Sequence, residues 1–169
     1  KPLGDDVARR GRIERRVGMH SVALESMLQA ETLIRDEDPA EAAWILLHAV
    51  SVSTRAGDVA AALGLARRLR DVAPRDGTPL DAHTDTTLGW ILCQSGHYEE
   101  GRPALERAAS LLLSRERPSW VELYLASLAL RLLERTDEGI DIALRAGQVA
   151  REAGPTALLS ALDLLTEWA

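Results

Sequence analysis

Leu88-Gly89-Trp90-Ile91-Leu92-Cys93-Gln94-Ser95-Gly96-His97-Tyr98-Glu99-Glu100-Gly101 is the stretch on which the fold turns. It begins as an apolar helix face, breaks at Ser95-Gly96 and restarts at His97 into Arg102–Leu113. A helix commonly closes with one residue in the left-handed region, which Gly enters without strain. The break therefore reads as a tight turn between two helices folded back on each other.

The hairpin recurs along the chain. Gly18, Gly57 and Gly96 are spaced by 39 residues, as are the small residues five places further on, Ala23, Ala62 and Gly101; Gly139 follows 38 later. First-helix core positions repeat in step: Leu46, Ala49 and Val50; Asp85, Leu88 and Gly89; Leu123, Ala126 and Ser127; Leu162, Leu165 and Thr166. A fixed period of this length in an apolar, helix-forming chain marks an α-solenoid. The expected architecture is all-α, with helical hairpins over residues 5–34, 40–72, 81–113 and 120–152 and an extra helix over 156–169 in the place of a further repeat's first helix.

Local signals set the boundaries. Asp38 caps a helix with Pro39 at its first position, where the missing N–H costs nothing, and Asp58 caps the helix after Gly57. Pro74-Arg75-Asp76-Gly77-Thr78-Pro79 forbids helix. Pro103 falls inside a helical pattern, so either a kink there or a start delayed to about Arg102 is expected. Arg135-Thr136-Asp137 turns without a glycine. His20 and His97 fall where second helices start, and capping or turn roles explain them.

Composition narrows the function classes. The chain has 169 residues, is 46% hydrophobic and 27% charged, and contains no apolar run of membrane-spanning length and no signal-peptide pattern. Its net charge of −6 disfavours a general nucleic-acid surface. Arg9, Arg10, Arg12, Arg15 and Arg16 cluster near the start, but beside Asp5, Asp6 and Glu14 they read as a solvated outer helix. One cysteine, Cys93, leaves no internal disulfide and suits the cytoplasm. Lys1 in place of a Met, and an apolar helical run up to Ala169, suggest a piece of a larger protein; Arg over Lys and abundant Ala, Leu and Gly suggest a high-GC bacterial source.

Enzyme signatures are missing: no G-x-x-x-x-G-K-[ST], G-x-G-x-x-G, G-x-S-x-G or H-E-x-x-H occurs. His20, His48, His83 and His97 have no ligand spacing, and a lone Cys in an apolar helix behaves as a small hydrophobe. No catalytic residue, metal or cofactor is expected. A helical-repeat lyase or transferase is the form an enzyme would take.

Leu88-Gly89, Leu92, Gly96, Tyr98, Gly101, Leu105 and Ala108 resemble the tetratricopeptide repeat, as do Gly57, Ala62, Ala66, Leu69 and Pro74 one period earlier. Two features depart from that consensus. Leu46, Asp85 and Leu123 replace the leading aromatic, and the period is 39 instead of about 34. A period near 39 is similar to that of the superhelical sensor or arm domain of large ATP-binding LuxR-family (MalT-like) bacterial regulators. That resemblance implies a right-handed superhelix serving as a non-catalytic ligand-sensing or protein-interaction domain in signal transduction and transcription. The alternative is a stand-alone scaffold binding a peptide or partner helix.

In tetratricopeptide superhelices the first helix of each hairpin lines the concave side. The resemblance thus points Trp44, Leu47, Ser51, Thr54 and Arg55 inward from one repeat, His83, Thr86, Trp90, Cys93 and Gln94 from the next, and Val121, Tyr124, Leu128 and Arg131 from the third. Aromatic and Arg side chains dominate binding hot spots, so the strip would recognise a protein, a peptide or a small-molecule inducer. The aromatics could equally fill gaps between adjacent hairpins. With no Asn and only Lys1, the carboxylate clamp of co-chaperone repeats is missing. No nucleic acid or membrane is expected as a partner, and exposed apolar end faces could pair two copies as a homodimer.

Overall fold

The computed structural model describes residues 20–166, and among these every element is α-helical. The helices are α1 (His20–Ile34), α2 (Pro39–Arg55), α3 (Val59–Val72), α4 (Pro79–Gln94), α5 (Tyr98–Leu113), α6 (Trp120–Leu132), α7 (Thr136–Ala153) and α8 (Pro155–Thr166). The helix expected over 5–18, with its arginine cluster, lies outside the described residues.

Caps set the starts. The Asp38 carboxylate accepts from Glu41 N–H at 3.1 Å with Pro39 opening α2, and Asp58 accepts from Ala61 N–H at 2.9 Å to open α3. Ser119 and Glu122 form a capping box on α6, and Arg115 reaches Glu122 at 2.6 Å. His97 sits at the cap position of α5, but its side chain makes no capping hydrogen bond there. Pro103 neither delays nor breaks that helix. α5 starts at Tyr98, and Pro103 sits in its second turn on the exposed side, where its missing N–H leaves only the carbonyl of Glu99 without an intrahelical partner.

The turns inside the described hairpins α2–α3, α4–α5 and α6–α7 share one hydrogen-bond pattern. Asp58 N–H donates to Ser53 C=O, His97 N–H to Leu92 C=O and Arg135 N–H to Leu130 C=O, each closing a helix five residues back. The turn residue is left-handed each time: Gly57 at φ 78°, Gly96 at φ 80°, and Glu134 at φ 63°. The third turn falls earlier than expected, at 133–135 with Thr136 and Asp137 already in α7, and a glutamate, Glu134, holds its glycine position.

Each helix packs on the next, and the first helices α2, α4 and α6 also touch one another side by side. This is the α-solenoid of helical hairpins. Buried apolar clusters follow one another along it. Met27, Ile34, Ile45 and Val52 join α1 to α2, and Leu46, Leu69 and Leu80 join α2, α3 and α4. Leu112, Leu123, Tyr124 and Ala146 continue it across α5, α6 and α7. Each fully buried Leu or Ile contributes about 1.5–3 kcal/mol. Backbone meets backbone closely in the middle hairpin: a Cβ on Gly101 would lie 2.9 Å from the Gly89 carbonyl oxygen. No described helix is long and apolar enough to cross a membrane.

Candidate functional site

Residues 44, 47, 48, 51, 54 and 55 of α2 recur at helical spacing and so share one face. The 39-residue period carries that face onto α4 as 83, 86, 87, 90 and 94, and a 38-residue step carries it onto α6 as 124, 125 and 128. Because α2, α4 and α6 lie side by side, the three faces form one concave wall around a cavity of about 580 Å³. Such a volume is in the range of small-ligand sites.

The residues line up in rows across the wall. Leu47, Thr86 and Tyr124 form one row, and His48, Thr87 and Leu125 the next. Ser51, Trp90 and Leu128 follow, with Arg55 and Gln94 at the far end. At the near end the Trp44 and His83 rings meet edge to face, 5.6 Å between centroids and 80° between planes. They occupy equivalent positions on neighbouring helices, which is why they meet. Burial first, and then the nearby His48, lower the His83 pKa to about 4, so its ring is neutral at physiological pH. The hydroxyls of Thr54 and Thr86 donate to the carbonyls of Val50 (2.8 Å) and Ala82 (2.9 Å), so a ligand would meet them as acceptors.

Trp44, Leu47, Ser51, Thr54, Arg55, His83, Thr86, Trp90, Gln94, Tyr124 and Leu128 thus come together around the cavity. Trp90 and Tyr124 do both of the things open to them. Trp90 lines the cavity while packing on the Val50, Leu88 and Ile91 cluster, and Tyr124 lines it while packing with Leu123 and Leu125. Three expected residues face elsewhere. Arg131 is exposed and its side chain lies against α7, where a Cβ on Gly139 would come within 2.6 Å of its Cγ. Cys93, the equivalent of Arg131 one repeat earlier, packs toward Leu105, Ala109 and Leu130, and burial pushes its thiol pKa up. Position 54/93/131 sits at the edge of the face, and on α4 and α6 it turns toward the partner helix. Val121 packs into the α5–α7 core.

His48, Val50, Thr87 and Leu125 line the cavity without having been placed on the concave side from sequence. The signal was present: His48 lies one turn beyond Trp44, and Thr87 and Leu125 hold its register on the next two first helices.

A second polar cluster lies away from the cavity. Asp81 and Asp85 of α4 are buried, and Arg107 of α5 reaches both at 2.5 Å. Arg75 meets Asp85 at 2.8 Å and Asp81 at 3.3 Å, and Gly77 N–H donates to Asp81 at 3.0 Å. Burial pushes the Asp81 carboxyl up. The hydrogen bonds from Arg107 and Gly77 and the charges of Arg107 and Arg75 outweigh it, and its pKa is held below the ordinary carboxylate value. On α1, buried Glu31 pairs with Arg35 at 2.7 Å and with Arg68 of α3. Among the described residues no three His, Cys, Asp or Glu side chains converge as a metal site.

No protein-family model and no curated protein matches the sequence. Among solved structures, the chain is similar to TPR-like repeats of a protein described as a kinesin light chain of Podosopora anserina, with a TM-score of 0.61 and 13% identity over 97% of this chain and 87% of that one. A single-substitution form of that protein matches with the same values. The MamA RS-1 ArsTM double mutant matches with a TM-score of 0.52 and 16% identity over 98% of this chain and 92% of that one. At these identities the likeness carries the fold alone, a tetratricopeptide-like helical repeat. None of the three is named as a transcriptional regulator.

Proposed function

We propose that this chain is a non-catalytic binding module whose ligand or partner segment sits in the cavity between α2, α4 and α6. The observation that carries the reading is that one repeated face brings Trp44, Trp90 and Tyr124 onto a single concave wall. An aromatic, partly apolar concavity with a few polar groups is the ordinary form of a binding site. In the finer form of the proposal the module is the sensing or interaction arm of a cytoplasmic bacterial signal-transduction or transcription regulator. The 39-residue period supports that form. Within the same polypeptide a phosphate-loop ATPase module before this segment and a helix-turn-helix after it would establish the regulator. Start and stop codons close to Lys1 and Ala169 would overturn that form and favour the free-standing scaffold.

The cavity reading is tested by filling the cavity. Truncating Trp90 would confuse binding with packing, because the same ring supports the Val50 cluster. Ser51→Trp and Leu128→Trp instead add bulk to the wall. Mixtures of small-molecule fragments and of short peptides are screened by ligand-observed NMR against the wild type, both filled variants and Arg102→Ala, an exposed α5 control. Hits lost on filling and kept by Arg102→Ala are expected. Hits indifferent to filling, or none with the wild type, overturn the reading.

A further inference from the structure

The cavity wall is charged unlike the rest of the chain. The protein has 26 acidic residues and a net charge of −6, yet none of the residues lining the cavity is Asp or Glu. Among the lining residues Arg55 is the one permanently charged side chain, in the last turn of α2, with Gln94 at the equivalent place on α4. The row before it, Ser51, Trp90 and Leu128, lies one helical turn away, about 6 Å along the axis. Arg55 thus lies one turn beyond the apolar row, at one end of the wall.

Resting on the cavity as the binding site, we propose that it takes a small amphiphilic anion: an aromatic or branched apolar body between Trp90, Tyr124 and Leu128, with one carboxylate at Arg55. Two effects compete over the sign of that charge. The C-termini of α2 and α4 lie at this end and present roughly half a negative charge each, an effect that fades within the last turn. A guanidinium carries a full charge and makes charge-assisted hydrogen bonds about twice as strong as neutral ones, and it decides the sign. Arg55 also makes an interaction within the protein. Its fork of five N–H donors can serve both.

The test uses two probes with the same ring system, 2-naphthylacetate and the neutral 2-(2-naphthyl)ethanol, titrated by calorimetry. The acid is expected to bind roughly tenfold tighter than the alcohol, as one charge-assisted contact implies. Arg55→Gln should bring the ratio to about one, and Arg55→Lys should retain part of it. Added salt should weaken the acid alone. Ser51→Trp, or Leu128→Trp should the first variant fold poorly by circular dichroism, should abolish both. Equal affinities, or a ratio unchanged in Arg55→Gln, overturn the anion and leave the cavity a binding site. No saturable binding of either probe also overturns the anion, and the cavity then stands or falls on the fragment and peptide screen. Binding that survives both filled variants overturns this proposal and the cavity reading together.

Discussion

In hairpin α2–α3 two first-helix positions one turn apart hold Ala42 and Leu46, and Arg68 on the second helix pairs with Glu31 of α1. In hairpin α4–α5, 39 residues on, those positions hold Asp81 and Asp85, and Arg107, the counterpart of Arg68, pairs with both. The arginine is common to the two copies and its direction is not. Where the buried carboxylates lie decides which way it turns: Arg107 pairs inside its own hairpin, with Arg75 of the preceding linker as the second cation, and Arg68 ties its hairpin to the helix before it. The exposed pair Arg67–Glu100, which links α3 to α5 at 3.2 Å, adds little, because both groups are solvated.

The most direct way to break this contrast is Arg107→Ala. It leaves two buried carboxylates with the half-exposed Arg75 as their remaining cation and the Gly77 N–H on Asp81. Stripping one partner from a buried ion pair typically costs about 3–5 kcal/mol, and a loss of that size is expected in urea unfolding at neutral pH. Adding Asp81→Ala and Asp85→Leu, which copies Ala42 and Leu46, should restore stability to within about 1 kcal/mol, since well-packed apolar groups commonly match a buried pair. A single variant close to wild type would mean that the network is solvated and its direction immaterial.

Acid separates the charge network from the neutral contact between the same hairpins, the Trp44–His83 edge. The folded His83 pKa is about 4 against an ordinary 6.5. Above pH 6.5 the ring is neutral folded or unfolded and costs nothing. Between 6.5 and 4 the unfolded chain takes up a proton that the folded chain resists, so stability falls with pH by about 3 kcal/mol over that window. Asp81 has a lowered folded pKa, so its contribution is present above the ordinary 3.8 and is lost only as pH falls through the lower, folded value. Stability curves for His83→Gln should therefore flatten between pH 6.5 and 4 and still drop below 4. An unchanged slope in the upper window would mean that the imidazole is hydrated.

Gly101→Ala probes the packing side of the comparison. Val50 and Ala62 in α2–α3 stand where Gly89 and Gly101 stand in α4–α5. A methyl on Gly101 would meet the Gly89 carbonyl at 2.9 Å and Leu92 Cβ at 3.1 Å, and the carbonyl belongs to helix backbone that cannot swing aside. A loss of about 2 kcal/mol is expected from overpacking. Gly64→Ala in α3, with nothing within 4 Å, should instead gain up to about 1 kcal/mol. Thermal melts of the two variants moving the same way would remove the distinction.

These contrasts also mark what the sequence could tell. Helix limits were legible because Asp38, Asp58, Gly57 and Gly96 act locally, within one turn of the boundary they set. The Pro74–Pro79 segment reads as free of helix to its end, but Thr78 caps α4 and Pro79 opens it, since a first-turn proline loses no hydrogen bond. The shared face was legible because a period of 39 preserves it from α2 to α4. Residue 131 was misplaced because a helical period gives the centre of a face and not its edge, and 54/93/131 lies at that edge. The Asp81–Arg107 pairing joins residues 26 apart and depends on how α5 is rotated against α4. Spacing does not contain that quantity. Asp85 reads only as a core-column position where the repeat's leading aromatic is replaced.

The third turn is where the template and its local chemistry disagree, and it gives the smallest effect. Glu134 sits at φ 63° where Gly57 and Gly96 sit at 78° and 80°. A residue with a Cβ loses roughly 1–2 kcal/mol in that region. Glu134→Gly removes the strain but frees the unfolded chain, which takes back up to about 1 kcal/mol. Glu134 is exposed, so little packing is lost with its side chain. The net gain should be about 0.5 kcal/mol, read as a small rise in urea midpoint at unchanged slope. Gly96→Ala, the reverse change in the middle turn, should lose about 1 kcal/mol, because the added strain exceeds what the stiffer unfolded chain returns. If Glu134→Gly lowers the midpoint instead, the side chain contributes something at that turn beyond tolerating it, and the three turns are not equivalent despite their common hydrogen bonds.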